Sequence, residues 1–272
     1  MLEAIYQMFS YTFILRAVIA GVLVSLCAAL LGVTLVLKRL SMIGDGLSHV
    51  GFGSLSVAMA FQWAPMWVSM PVVLLSAFLL LRISENSKIK GDAAIALFSS
   101  SALAAGVIVT SLTKGMTLDV FNYMFGSILA MSNADVYMSA VLSAAVIVLF
   151  ALFYNKIFAV TFDESFAKAT GTNVSLYKML IAALTALTIV VGMRIMGTLL
   201  ISSLVIFPAL TSMRVFAGFK RVIITSAVIS VLCFFFGITL SYMLSIPAGA
   251  SIVAVNLAVF GVFSGVGLIR QR

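Results

Sequence analysis

Charge is what this sequence has least of. Only 9% of its 272 residues are Asp, Glu, Lys or Arg, against roughly a quarter in soluble domains, which excludes an ordinary water-soluble globule. Histidine occurs once, at His49, so no histidine cluster can form within one chain. The two cysteines, Cys27 and Cys233, lie inside apolar stretches. They read as small hydrophobes, with no disulfide framework and no CxxC metal motif. No GxxxxGK[ST] run occurs, so ATP has no phosphate loop here. No Gly-x-Ser-x-Gly elbow occurs either, and Ser48 cannot face the adjacent His49 on a helix, which argues against an intramembrane serine hydrolase. No polar stretch is long enough for a soluble catalytic domain, and no sequence repeat supports an inverted-repeat transporter. Met1, Leu2, Glu3, Ala4 and Ile5 lack a basic n-region and a small-residue cleavage site, so no removable signal peptide is expected.

What remains is apolar. Hydrophobic residues make up 63% of the chain and the mean hydropathy is +1.25. The apolar runs are continuous rather than alternating, which predicts an all-α, polytopic transmembrane bundle and not a β-barrel. The whole chain, 1–272, reads as one transmembrane domain. A span needs about 20 mostly apolar residues, and nine candidates appear. The first runs over 12–37 and the second over 41–61. The third ends at Arg82, and the fourth and fifth cover 93–112 and 136–153. The sixth covers 176–191, the seventh ends near Met213, the eighth covers 222–244, and the ninth ends before Arg270. The segment 114–134 contains Asp119, Asn122, Gly126, Ser127 and Asn133 and is too polar for a span, so it reads as a half-helix or surface segment. Trp63 and Trp67 read as interfacial anchors, and Pro208 is expected to kink or break the seventh span.

The net charge of +8 does not mark nucleic-acid binding, because the basic residues lie singly or in pairs between apolar runs. Alternating the nine spans puts Lys38, Arg39, Arg82, Lys88, Lys90, Lys156, Lys168, Lys178, Arg214, Lys220, Arg221, Arg270 and Arg272 on one side. Arg16, Lys114 and Arg194 stay on the other. By the positive-inside rule the first side is cytoplasmic, with the N-terminus outside and the C-terminus inside.

Within this charge-poor chain, Gly44-Asp45-Gly46-Leu47-Ser48-His49 stands out. Asp45 and His49 are four residues apart and share one helix face. An ionisable residue at membrane depth costs a few kcal/mol or more and marks a candidate functional site. The pair can hold a divalent ion or handle a proton; the alternative is an Asp–His contact that fixes packing. Two ligands are too few for tight binding of a divalent ion. A homodimer with this helix on its two-fold axis would supply two carboxylates and two imidazoles. Oxygen and nitrogen donors suit zinc or manganese.

Two further stretches are candidates. The loop 161–173 is the most polar in the chain, with Asp163 or Thr161 placed to cap a short helix and Gly171 placed to end it. It reads either as a solvated connector or as a helix that docks into a groove of a soluble partner. The stretch 194–214 carries Arg194, Ser202, Ser203, Pro208 and Thr211. Small and hydroxyl residues there can line a path but more often pack helices, and packing is the favoured reading. Arg194 and Asp119 are expected to pair as an outer gate or to touch a partner.

Several of these stretches resemble the permease subunits of bacterial metal-ion ABC importers, the group that takes up zinc, manganese or iron. The resemblance lies in Lys38-Arg39-Leu40-Ser41-Met42-Ile43-Gly44-Asp45-Gly46-Leu47-Ser48-His49, in Phe121-Asn122-Tyr123-Met124-Phe125-Gly126-Ser127-Ile128-Leu129 and in Phe162-Asp163-Glu164-Ser165-Phe166-Ala167. It continues through residues 194–209 and Ile246-Pro247-Ala248-Gly249-Ala250, in the family's order. The resemblance implies a homodimer in the bacterial cell membrane, two cytoplasmic ATPase subunits that bind the ATP, and an extracytoplasmic metal-binding protein. It implies that Asp45 and His49 contact the transported metal. It makes the loop with Asp163, Glu164, Ser165, Phe166, Ala167 and Gly171 the coupling helix that docks on the ATPase. The segment 119–129 looks closest to the zinc branch, with manganese or iron as alternatives. The chain itself is not expected to be an enzyme. A self-sufficient ion-coupled carrier is the weaker alternative, since it would need more intramembrane acids than Asp45.

Overall fold

A computed structural model describes residues 10–86, 91–113 and 132–270. The half-helix expected within 114–134, Asp119 and the motif 121–129 lie outside the described residues, apart from the last three positions of that segment. Eleven helices follow one another, with no strand among the described residues. They are α1 (Thr12–Leu37), α2 (Ile43–Ala60), α3 (Pro65–Asn86), α4 (Gly91–Leu112), α5 (Asn133–Leu152), α6 (Tyr154–Phe162), α7 (Glu164–Ala169), α8 (Val174–Met196), α9 (Thr198–Met213), α10 (Phe219–Leu244) and α11 (Ala248–Arg270).

All nine expected apolar segments are helical. Seven of the described helices are long and apolar enough to cross a membrane; α2 and α9 are not among them. At 1.5 Å per residue α9, with 16 residues, spans about 24 Å, short of a hydrocarbon core about 30 Å thick. α2 carries Asp45, His49 and four glycines, which dilute its apolar character. Both sit inside the bundle, packed on α1, α3, α4, α8 and α11. Length and composition thus mark seven candidate spans among the described residues and do not confirm the expected count of nine. Pro208 does not break α9, which continues through it to Met213.

Burial orders the rest. In their most apolar windows α8 is 72% buried and α1 67%, whereas α11 is only 17% buried, so α1 and α8 form the centre and α11 the rim. Lipid tails give helices no hydrophobic reason to associate, so close packing and interhelical hydrogen bonds must hold the centre. The Ser230 hydroxyl donates to the Ser25 carbonyl at 2.9 Å, pinning α10 to α1. The Cys27 thiol donates to the Ser143 carbonyl at 3.5 Å, tying α1 to α5. α2 meets α4 through Gly53, where an added Cβ would lie 2.6 Å from the Ala102 carbonyl oxygen. Backbone cannot yield as a flexible side chain can. Gly53→Ala should therefore push α2 off α4 and cost about 1–3 kcal/mol, read as a lowered unfolding temperature of the purified protein in nanodiscs.

The turn from α8 to α9 is made by one residue. Gly197 has φ +86° and ψ 163°, a conformation open essentially to glycine alone. This lets two buried helices reverse direction with no loop between them.

Candidate functional site

Asp45 and His49 occupy the first two turns of α2, and the helix gives them one face, as their spacing predicts. Most of α2 is buried against its own chain. Asp45 and His49 are not: their side chains keep 37% and 20% of their exposure. The glycines on the other faces press the helix inward, with Gly44 beside Val205 of α9 and Gly46 beside Ile95 of α4. The pair therefore looks out of the bundle from its best-packed helix.

The Asp45 Oδ1 to His49 Nε2 distance is 3.6 Å, too long for a hydrogen bond. His49 Nδ1 is buried and has no hydrogen-bond partner. The spacing leaves room for a third group between the two atoms. Two donors each about 2.1 Å from one tetrahedral ion sit about 3.4 Å apart, close to the spacing found. Among the described residues no group of three or more His, Cys, Asp or Glu side chains converges on one point. One chain thus brings two candidate donors together at this point.

The polar loop is a capped helix. Asp163 is the N-cap of α7, and its carboxylate accepts from the Phe166 N–H at 2.9 Å. Ala167 is fully buried, packed with Val160 and Val174, and Gly171 ends the turn with φ +75°. Ser165 and Phe166 are exposed, Phe166 by 61%. Glu164 turns the other way: Lys38 Nζ donates to one of its oxygens at 2.7 Å and Lys178 Nζ approaches the other at 2.6 Å. Burial works to raise the Glu164 carboxyl, but the hydrogen bonds and charges of Lys178 and Lys38 outweigh it and hold it below the usual carboxylate range.

At the other end of α8, Arg194 Nη2 lies 2.8 Å from Asp135 Oδ1. Asp135 sits at the N-terminus of α5 in a capping box. The Ser132 N–H and hydroxyl donate to its Oδ2 at 3.1 and 2.7 Å, and the Asp135 N–H donates to the Ser132 hydroxyl at 3.2 Å. The carboxylate on Arg194 is thus Asp135, while the expected partner Asp119 lies outside the described residues. Ser202 and Ser203 are buried and donate to the Thr198 and Leu200 carbonyls of their own helix. Pro208 is buried as well. All three lie on α9, which packs against α2, the helix of the Asp45–His49 pair.

The profile of the ABC 3 transport family matches residues 10–266. The chain belongs to that family. A solved structure similar to this ABC 3 family chain is PsaBC from Streptococcus pneumoniae in complex with Fab, with a TM-score of 0.86 and 30% identity over 96% of this chain and 94% of that one. The manganese import system permease protein ScaB of Streptococcus gordonii is 29% identical over 95% of this chain and 92% of that protein. A Haemophilus influenzae membrane protein named for iron transport is 30% identical over 96% of this chain and 92% of its own length. The resemblance read from the sequence, to permeases of metal-ion ABC transporters, holds at the level of the family.

Sequence reasoning missed three participants in this ABC 3 family chain. Asp135 was legible, since Ser132-x-x-Asp135 before an apolar run is a capping-box signature. Lys38 and Lys178 were not legible as partners of Glu164, because the Lys38 contact spans 126 residues and no local pattern announces it.

Proposed function

We propose that this chain is the membrane-spanning subunit of an ATP-driven importer of a divalent first-row metal ion. Two copies face each other across α2, so that Asp45 and His49 of each contribute to one passing ion. The observation that carries the reading is the open Asp45–His49 pair: an oxygen and a nitrogen donor 3.6 Å apart on the outward face of an otherwise buried helix. Each copy supplies half of a four-donor set. The two carboxylates offset the charge of the ion, and the absence of thiolate ligands favours release over retention.

The end of the bundle carrying Lys38, α7 and Lys178 faces the cytoplasm, following the positive-inside rule, with the N-terminus outside and the C-terminus inside. There α7 presents Phe166 and Ser165 to a separate ATPase subunit, one for each copy, and Asp163, Ala167 and Gly171 build that helix. A metal-binding protein delivers the ion at the opposite end, near Asp135 and Arg194. Asp119, Ser202, Ser203 and Pro208 remain candidates for the lining or gating of the path, although the serine hydroxyls donate to carbonyls of their own helix.

The relatives named above carry manganese and iron in their names, and the donor pair suits manganese and zinc alike. The preference for zinc read from residues 119–129 has no support from the described structure. The test is uptake of radiolabelled Mn²⁺, Zn²⁺ and Fe²⁺ into vesicles holding the chain with and without its partner ATPase. ATP-dependent accumulation of one of these ions only when the ATPase is present is the expected result. Uptake by the chain alone would establish the carrier reading instead.

A further inference from the structure

We propose that Glu164 is a positioning residue that passes the movement of α7 through Lys38 to the start of α2, the helix that carries Asp45 and His49. This rests on the reading of α7 as the ATPase-docking helix.

Packing also joins α7 to α2 indirectly, through α6 and α8; the Lys38–Glu164 contact is the direct link to the corner before α2. α7 is a six-residue helix whose main packing is on α6 and α8. Between it and the corner joining α1 to α2 lies a cavity of about 380 Å³, whose far wall includes Leu35, Leu40, Ile43 and Leu81. Side chains separated by a void transmit little force, because they have lost the contacts through which they would push. The Lys38–Glu164 contact bridges that void. Lys38 is the C-cap of α1; Arg39 turns the chain with φ +58°, and α2 begins at Ile43, two residues before Asp45.

The contact is not a loose surface pair. The Glu164 side chain keeps 38% of its exposure, but those of Lys38 and Lys178 are only 12% and 15% exposed, and they take different oxygens of one carboxylate. Neutralising Glu164 would leave two largely buried ammonium groups facing one another with no charge between them. Lys178 lies at the start of α8, so the same carboxylate also fixes α7 to one of the two central helices. At neutral pH the carboxylate stays ionised, since its pKa is held down and the contact is lost only as the pH falls through that lowered value.

The experiment uses the complete transporter in vesicles, with the ATPase bound, and measures metal ions taken up per ATP hydrolysed. Glu164→Gln and Lys38→Met should each keep the ATPase bound and lower that ratio by about fivefold or more, the lower range of allosteric couplings. The exchange Lys38→Glu with Glu164→Lys should recover part of it. An unchanged ratio in Glu164→Gln overturns the proposal. So does loss of the ATPase from that variant, which would make Glu164 a docking contact, or failure of both single variants to assemble, which would make the contact merely structural. An exchange that stays uncoupled also counts against it. Phe166→Asp serves as the separate control: an ATPase that stays bound to that variant refutes the docking reading and leaves the Glu164 result standing as a measurement on the permease alone.

Discussion

Asp45→Ala and His49→Ala should each abolish metal uptake in a transporter that still assembles and still hydrolyses ATP. Even partners that only orient a metal ligand typically change affinity or activity about 10–100-fold when lost, so removal of a ligand itself should cost at least about 100-fold in uptake. In the proposed two-fold arrangement the loss is more severe, because a single substitution removes two of four donors at once. Asp45→Asn should fall nearly as far as Asp45→Ala. It keeps an oxygen donor but removes two negative charges from an ion crossing a low-dielectric path, where such charge matters most. If the pair were a packing device, Asp45→Asn would be nearly silent, since the asparagine carbonyl can hold a histidine as well as a carboxylate does. Uptake measured with the assembled complex separates these outcomes.

Arg194→Met destabilises the protein more than Asp135→Asn, and the two together less than their sum. Asp135 is 9% exposed and keeps its Ser132 donors in the Arg194 variant, but it loses the Arg194 charge at 2.8 Å. Leaving a carboxylate buried without its partner costs about 3 kcal/mol or more. The reverse change is milder, because the Arg194 side chain is 33% exposed and can turn to water. It also retains part of the cap, since asparagine can still accept from Ser132. Thermal unfolding of the four proteins in nanodiscs completes the double-mutant cycle. Additive losses would mean that the ion pair holds α5 and α8 together no better than solvent does.

The sequence carried more of the fold than of the contacts. The span over 12–37 coincides with α1, because one uninterrupted apolar run ends at Lys38 and Arg39. Asp163 and Gly171 marked the ends of α7 through local chemistry, a side-chain cap and a positive φ, which need no tertiary information. The face shared by Asp45 and His49 followed from helical spacing alone. Their exposure did not, because it depends on where α4, α8 and α9 close around the glycines of α2. Of the expectation that Pro208 kinks or breaks its helix, the break does not occur, because neighbouring helices surround the buried α9 and the helix continues through it. The Arg194–Asp135 contact was not legible as a pair, since the ends of α5 and α8 meet only in the folded bundle. Glu164 looked like one more polar residue of a docking loop, and only the fold turns it inward to Lys38 and Lys178.

The central claim, that two copies place two Asp45–His49 pairs around one ion, is tested most directly by Mn²⁺ binding to the assembled transporter, followed by electron paramagnetic resonance. One Mn²⁺ for every two chains, with nitrogen coupling that disappears in His49→Gln, is the predicted result. One Mn²⁺ per chain, or binding and nitrogen coupling unchanged in His49→Gln, would contradict it.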